Sequence, residues 1–146
     1  MADRGWKSEG REKKSILSFR DLDVYQSARK QSWRLFELTK RFPRDERFSL
    51  IDQVRRSSRA VGAMIAEAWA SRRYEALFVN KLYQAMGEAH ETQSWLDAAL
   101  DCKYINAETH RDLDHEWQHI GAMLRRMIEK SSTFCVQPKK EDVKPG

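Results

Sequence analysis

Residues 42–69 read FPRDERFSLIDQVRRSSRAVGAMIAEAW, and this stretch decides the fold. Pro43 predicts the end of one helix, because the residue before a proline avoids the α region. After it, apolar or small side chains recur at alternating spacings of three and four, which places them on one face of a helix. That face consists of Ile51, Val54, Ser58, Val61, Ile65 and Ala68. The stretch therefore predicts a turn followed by a long amphipathic helix.

The same spacing occurs in three further segments of the chain. Its positions are Val24, Ala28, Gln31, Leu35, Leu38 and Phe42 in the first segment, Phe78, Leu82, Ala85, Ala89, Thr92, Leu96 and Ala99 in the third, and Leu113, Trp117, Ile120, Leu124 and Met127 in the fourth. Because the connections between the segments are short, successive helices are expected to lie antiparallel. The sequence therefore predicts an all-α fold, an antiparallel up-and-down four-helix bundle.

The bundle is predicted to span residues 18–131. Residues 1–17, a basic segment, and residues 132–146 lack the periodic pattern and are rich in Lys, Glu, Ser, Gly and Pro, which predicts two disordered tails. Polar side chains that can cap the first turn of a helix support the predicted helix starts. They are Ser18 with Asp21 and Ser49 with Asp52, both resembling capping boxes, Ser71 for the third helix and Asn106 for the fourth.

Composition excludes several classes of protein. A chain of 146 residues is long enough for one domain with its own core. No apolar run approaches the ~20 residues that span a bilayer, and the N-terminus lacks the apolar region of a signal peptide, so we expect a cytoplasmic protein without membrane contact. Cys102 and Cys135 lack the spacing of a metal knuckle or a disulfide framework and are expected to be free thiols.

Charge is unevenly distributed along the chain. The net charge is +5, yet residues 1–73 carry more basic than acidic groups and residues 74–146 carry more acidic than basic groups. This division predicts two electrostatic faces, either of which can meet a partner or another copy of the chain.

The candidate nucleic-acid-binding residues are five arginines near the second predicted helix. They are Arg55, Arg56, Arg59, Arg72 and Arg73. Guanidinium groups suit phosphate oxygens, and an oligomer would repeat the cluster into a larger basic surface. Trp33, Trp69 and Tyr74 are candidates for stacking on single-stranded bases. The alternative interpretation is a solvated or salt-bridged face beside ordinary core aromatics.

A strip of mostly small residues lies beside the apolar face of the second helix, and it is the candidate oligomer interface. The strip consists of Arg56, Ala60, Ala63, Glu67 and Ala70. Small side chains allow another backbone to approach closely, either within one bundle or from a neighbouring subunit. If Glu67 is buried in such a contact it needs a partner, and Arg56 of an adjacent chain is a candidate.

The segment 115–119 matches the H-E-x-x-H pattern of zinc peptidases, with His115 and His119 as the would-be ligands. Because Trp117 belongs to the core face, both histidines are expected to face away from the bundle interior. The additional histidine and glycine of the metzincin pattern are absent. Glu116 and His119 also match half of a di-iron site, but the second Glu-x-x-His pair is missing. We therefore predict no catalytic residues, no metal site and no cofactor.

Several blocks of the chain resemble a family of four-helix bundle proteins first noted as products of intervening sequences in large-subunit ribosomal RNA genes. The blocks are Phe19-Arg-Asp-Leu-Asp-Val-Tyr-Gln-Ser-Ala28, Phe42-Pro43 with Glu46 and Leu50, Gln53-Val-Arg-Arg56, Ile65-Ala-Glu67, and Gly87-Glu-Ala-His-Glu91 with Leu96. The resemblance implies an antiparallel bundle that assembles as a homopentamer without known catalysis. Similar bundles act as accessory proteins of diversity-generating retroelements, together with a reverse transcriptase and nucleic acid.

Two functions follow from these observations. The first is a non-enzymatic homo-oligomeric accessory or scaffold protein that binds nucleic acid, with RNA, DNA and a reverse transcriptase as the partners that the resemblance implies. The second is a structural or protein-interaction module, whose acidic half contacts a basic partner and which has no role with nucleic acid.

Overall fold

The computed structural model describes residues 15–135, and these residues form helices without any strand. The helices are α1 (Asp23–Thr39), α2 (Leu50–Ala70), α3 (Glu75–Asp101), α4 (Ala107–Glu129) and the short α5 (Ser131–Phe134), with single 3-10 turns at Phe19–Asp21 and Arg44–Glu46. The four long helices coincide with the four periodic segments, which confirms the predicted all-α bundle.

Polar contacts between neighbouring helices show that the helices run antiparallel. Arg56 and Glu67 of α2 contact Glu88 and Lys81 of α3, with Nη1 to Oε1 and Oε1 to Nζ distances of 3.3 Å and 2.9 Å. A residue later in α2 therefore contacts a residue earlier in α3, as in any antiparallel pair of helices. The same reversal relates α1 to α2 and α3 to α4, and α1 also packs on α4, which closes the bundle.

The predicted core faces are buried along all four helices. Every position of the second, third and fourth faces is buried, and on the first face only Leu38 is half-exposed. Trp117 and Phe78 are the largest side chains without solvent contact. Several buried residues carry hydroxyl groups, and among them Ser57 Oγ and Thr92 Oγ1 are hydrogen bonded to each other at 2.8 Å. The pair satisfies polar atoms that would be costly to bury alone.

Two of the predicted caps are confirmed. Asn106 Oδ1 accepts a hydrogen bond from the Thr109 N–H at 2.8 Å, at the start of α4. Ser18 and Asp21 form the expected capping box, with Ser18 Oγ accepting from the Arg20 N–H and Asp21 Oδ2 accepting from the Ser18 N–H. This box caps the 3-10 turn that precedes α1, so α1 itself begins only at Asp23.

The predicted capping box of Ser49 with Asp52 is wrong. The Ser49 side chain makes no cap, and its hydroxyl instead donates to Glu46 Oε1 at 2.6 Å. The same carboxylate oxygen accepts from the Leu50 N–H at 3.3 Å. Glu46, brought close by the 3-10 turn, therefore takes the place that the spacing had suggested for Ser49.

The predicted cap of α3 by Ser71 is also wrong. Ser71 follows the last residue of α2, and its hydroxyl donates to the Glu67 carbonyl oxygen at 2.9 Å. The residue that precedes α3 is Tyr74, whose side chain makes no cap hydrogen bond. Ser71 thus satisfies a carbonyl at the end of one helix, where the sequence had suggested that it begins the next.

Two loops at the same end of the bundle are joined through Tyr104. Its hydroxyl donates to Glu46 Oε2 at 2.7 Å, and its ring lies 5.3 Å from the ring of Phe42. The hydrogen bond to Glu46 raises the pKa of Tyr104 to about 12. The hydrogen bond from Ser49, followed by that from Tyr104, lowers the pKa of Glu46. The connection α1–α2 is thereby tied to the connection α3–α4.

The C-terminal tail was predicted to begin at residue 132, but Phe134 and Cys135 still pack against the bundle. Phe134 stacks on Phe78, with 6.2 Å between the ring centroids, and Ser131 is buried. The remaining parts of the two predicted tails, residues 1–14 and 136–146, lie outside the described residues.

Candidate nucleic-acid interface

The end of α1 is joined to the start of α2 by Arg55. Arg55 Nε donates to Thr39 Oγ1 at 2.9 Å, and its Nη2 donates to the Phe36 carbonyl oxygen at 3.3 Å. The guanidinium carbon also lies 4.5 Å from the centre of the Phe36 ring. A cation is favourable here because the carbonyl groups in the last turn of a helix carry partial negative charge. Arg55 therefore positions α1 and α2 relative to each other.

A groove lies between α1 and α2 next to this contact. Its lining residues are Arg29, Ser32, Trp33, Phe36 and Arg59, and they line an open cavity of about 330 Å³. We call this cavity and its lining residues the basic-aromatic groove. Trp33 is 63% exposed and stacks on Phe36, with 5.4 Å between ring centroids and 27° between ring planes. The groove thus offers an open aromatic surface beside two guanidinium groups.

The positive charge of the groove is not neutralised by the described part of the chain. Among residues 15–135, no carboxylate oxygen lies within 4.0 Å of a guanidinium nitrogen of Arg29, Arg55 or Arg59. Arg59 instead lies over the Phe36 ring, 5.4 Å from its centre. Unpaired guanidinium groups attract anions, and phosphate oxygens are among their best partners.

Arg56 was predicted to share a site with Arg55 and Arg59, and the structure places it elsewhere. It points toward α3, where its guanidinium contacts Glu88 and Glu91. Burial acts to raise the pKa of Glu91, but hydrogen bonds from Trp95 and Arg56 lower it overall. The carboxylates compensate the charge of Arg56, so this arginine belongs to a salt-bridge network that holds α2 to α3.

Arg72 and Arg73 are also separate from the groove. They follow the C-terminal end of α2, and the 15 residues from Arg55 to Ala70, the last residue of α2, correspond to about 22 Å of helix. The guanidinium of Arg72 lies 3.7 Å from the centre of the Trp69 ring, and its Nε donates to the Trp69 carbonyl oxygen at 2.8 Å. Arg73 is exposed. The five predicted arginines therefore occupy three places and do not form one patch.

The predicted oligomer strip lies on the outer side of the α2–α3 pair. Ala63 and Ala70 are exposed, and Ala60 is half-buried. Glu67 is paired with Lys81 of the same chain at 2.9 Å. Since Arg56 also has partners within its own chain, neither member of the suggested pair between subunits needs an adjacent copy to satisfy its charge.

The histidines of the H-E-x-x-H pattern do not converge on a pocket. His115 and His119 are exposed on α4, while Trp117 between them is fully buried. A different group comes together where α3 meets α4, and one ligand atom each of Asp97, His110 and Asp114 lies within 4.8 Å of the others. His110 Nε2 and Asp97 Oδ1 are hydrogen bonded at 2.8 Å. These polar side chains link the two helices.

Sequence reasoning missed three members of the groove, Arg29, Ser32 and Phe36. Arg29, Trp33 and Phe36 are spaced by four and three residues along α1, which puts them on one face of that helix. The spacing was available in the sequence, but it lies outside the apolar core face and gains meaning only from Arg59 on the facing helix. Trp33, one of the predicted stacking residues, is part of the groove, whereas Trp69 is covered by Arg72.

No helix among the described residues is long and apolar enough to cross a membrane. The fold and the groove together define a small helical bundle with a basic and aromatic surface between its first two helices. The chain belongs to the family of 23S rRNA-intervening sequence proteins, whose family model matches residues 20–126. The resemblance seen in the sequence is thus confirmed.

Comparison with solved structures supports the same assignment. A crystal structure of a protein of unknown function from the S23 ribosomal protein family of Bacteroides thetaiotaomicron is similar to this chain, with 29% sequence identity and a TM-score of 0.66. The match covers 73% of this chain and 95% of that chain. Among curated proteins, no match to the chain is found.

Proposed function

We propose that this protein is a non-enzymatic, homo-oligomeric bundle that binds RNA through the basic-aromatic groove. The observation that carries the proposal is the pairing of unneutralised guanidinium groups with an exposed indole in one cavity. Phosphate oxygens supply the anions for Arg29 and Arg59, and bases supply the flat surface for Trp33.

A single groove would bind RNA weakly, because it reaches only a few phosphates. Affinity for nucleic acid grows with the number of phosphates neutralised, and copies of one site on an oligomer act together along one strand. The proposed function therefore couples RNA binding to self-association, and the second element of the proposal is a subunit interface.

The surface that best fits a second copy of the chain lies on the outer side of α2 and α3. Along α3 it consists of the exposed Ala76, Leu77, Asn80, Tyr83, Gln84 and Gly87, and along α2 of Ala63 and Ala70. Between residues 76 and 87 the only charged side chain is Lys81, and it is paired with Glu67. Leu77 and Tyr83 are 42% and 53% exposed. Such an uncharged surface with small residues is typical of a contact between subunits.

RNA binding is tested by fluorescence anisotropy with labelled RNA oligonucleotides over a range of salt concentrations. We expect binding that weakens steeply between ~50 and ~200 mM salt, because counterions are released when phosphates are neutralised. Binding no tighter than that of an unrelated protein of equal net charge would contradict the proposal. It would favour the alternative function, a protein-interaction module that uses the outer side of α2 and α3.

Self-association is tested by light scattering on the variant Leu77→Glu. A charge at this position would have to be desolvated in the interface, so the variant is expected to have the mass of a single chain, whereas the native protein has that of several chains. Gln118→Glu adds the same charge to the exposed side of α4 and is expected to leave the mass unchanged. A native protein that stays monomeric at high concentration would contradict the proposed interface.

A further inference from the structure

In the basic-aromatic groove, the exposed ring of Trp33 is supported by the ring of Phe36, on which it stacks. The Phe36 ring lies under Trp33 and is itself contacted by three cations, with Arg55, Lys40 and Arg59 at 4.5, 4.8 and 5.4 Å from the ring centre. Arg55 is fixed further by its hydrogen bonds to Thr39 and the Phe36 carbonyl. The exposed indole of Trp33 therefore rests on a supported layer, which lowers the entropic cost of stacking a flat ligand on it.

The groove has room for one nucleobase beside Trp33, since its volume is about 330 Å³. In a duplex both faces of each base are covered by its neighbours, and the deep major groove of A-form RNA does not admit side chains. Only an unpaired base can present a face to Trp33.

The groove also contains polar groups for the edge of a base and for the backbone. Ser32 lines the cavity, and its Oγ lies 3.3 Å from Ser58 Oγ, with which it shares one hydrogen bond. A hydroxyl has one donor and two acceptor positions, so Ser32 keeps capacity for a further hydrogen bond. Arg29 on α1 and Arg59 on α2 lie on the two helices that border the groove and can contact the phosphates on either side of a stacked nucleotide.

We propose that the groove is specific for single-stranded RNA, with one unpaired base stacked on Trp33 and the flanking phosphates bound by Arg29 and Arg59. This inference rests on the proposed function. It adds that the RNA is single-stranded and that Trp33 distinguishes a single strand from a duplex. Trp33 supplies an interaction that depends on an open base, whereas the arginines supply interactions that any RNA can make.

The test compares the native protein with Trp33→Ala, using a labelled single-stranded RNA and a duplex of the same length. We expect the single strand to bind about 10-fold more tightly than the duplex, and Trp33→Ala to remove this preference, because stacking on one aromatic side chain is worth about that factor per base. The duplex affinity and the dependence of binding on salt are expected to stay unchanged. Trp33→Phe retains an aromatic surface and is expected to restore most of the preference.

Phe48 provides a matched control, because it is 82% exposed and lies outside the groove. Phe48→Ala should leave both affinities as they are in the native protein. Far-UV circular dichroism checks that each variant is folded, which is expected because Trp33 lies outside the buried core.

The outcomes separate this inference from the proposed function. Equal binding of single strand and duplex by the native protein, or an unchanged preference in Trp33→Ala, overturns the inference and leaves RNA binding intact. Failure of the native protein to bind either RNA overturns both.

Discussion

Replacing Trp117 with alanine is expected to lower the free energy of unfolding by about 3–5 kcal/mol. Among the described residues, Trp117 is the largest side chain without solvent contact, and it lies near the middle of α4 within the hydrophobic core. Removing the indole loses its burial and leaves a cavity that the rigid helices can fill only partly. Since single domains are stable by only ~5–15 kcal/mol, this change removes much of the total.

The variant Trp117→Phe separates packing from polarity at the same position. Among residues 15–135, the buried Trp117 Nε1 has no hydrogen-bond partner, which costs about 1–3 kcal/mol. Phenylalanine removes this polar atom along with part of the ring, so the two effects oppose each other and the net loss is expected to be about 1 kcal/mol or less. Urea unfolding followed by circular dichroism, at a fixed chain concentration, measures both variants. A loss well above 1 kcal/mol for Trp117→Phe would show that the N–H group has a hydrogen-bond partner in solution.

The double variant Arg29→Ala with Arg59→Ala is expected to weaken RNA binding by about 10²-fold at low salt. Each guanidinium is free of any carboxylate in the described structure, and a hydrogen bond to a charged group is worth about 1.5–3 kcal/mol. The slope of log affinity against log salt should also fall by about 0.7 for each phosphate that the variant no longer neutralises. Anisotropy titrations at several salt concentrations give both quantities.

The matched control for this experiment is Arg56→Ala with Arg73→Ala. It removes the same net charge, but Arg56 is paired with Glu88 and Glu91, and Arg73 lies near the far end of α2. We expect a change in affinity of a few-fold at most, arising from the net charge alone. Equal losses in the two double variants would contradict the groove as the binding site and favour a diffuse electrostatic attraction.

Most of the fold was predictable because it depends on repetition within each helix. On α2, α3 and α4, every position that the apolar spacing predicted to be buried is buried. A helix with one apolar face must bury that face against its neighbours. Short connections then left antiparallel packing as the simple solution. The Asn106 cap was likewise predictable, because its acceptor and donor are only three residues apart.

The caps that were predicted wrongly involve a choice among local partners. Ser49 and Ser71 carry hydroxyl groups that can serve the helix before them or the helix after them, and sequence spacing does not rank these options. The 3-10 turn before α2 brings Glu46 to the helix start, and Ser49 donates to it. The position at which the preceding turn ends therefore decided the outcome.

In the candidate site, too, the sequence predicted which residues carry charge but not which contacts they make. Arg55, Arg56 and Arg59 are close in sequence and were predicted to act together, because the pattern shows which residues are charged but gives no information on their neighbours. Packing of α3 beside α2 placed Glu88 and Glu91 opposite Arg56 and neutralised it. Packing of α1 on the other side left Arg59 beside Trp33 without a carboxylate.

The sequence by itself determined that this chain forms four amphipathic helices, which of their faces are buried, and to which family the chain belongs. Those properties depend on side chains three and four residues apart, whose relation any helix preserves. Only the tertiary structure decided which arginines keep an available charge, because that depends on whether a facing helix brings a carboxylate or an aromatic ring. The basic-aromatic groove is built from two helices, and its composition is a property of the way they pack.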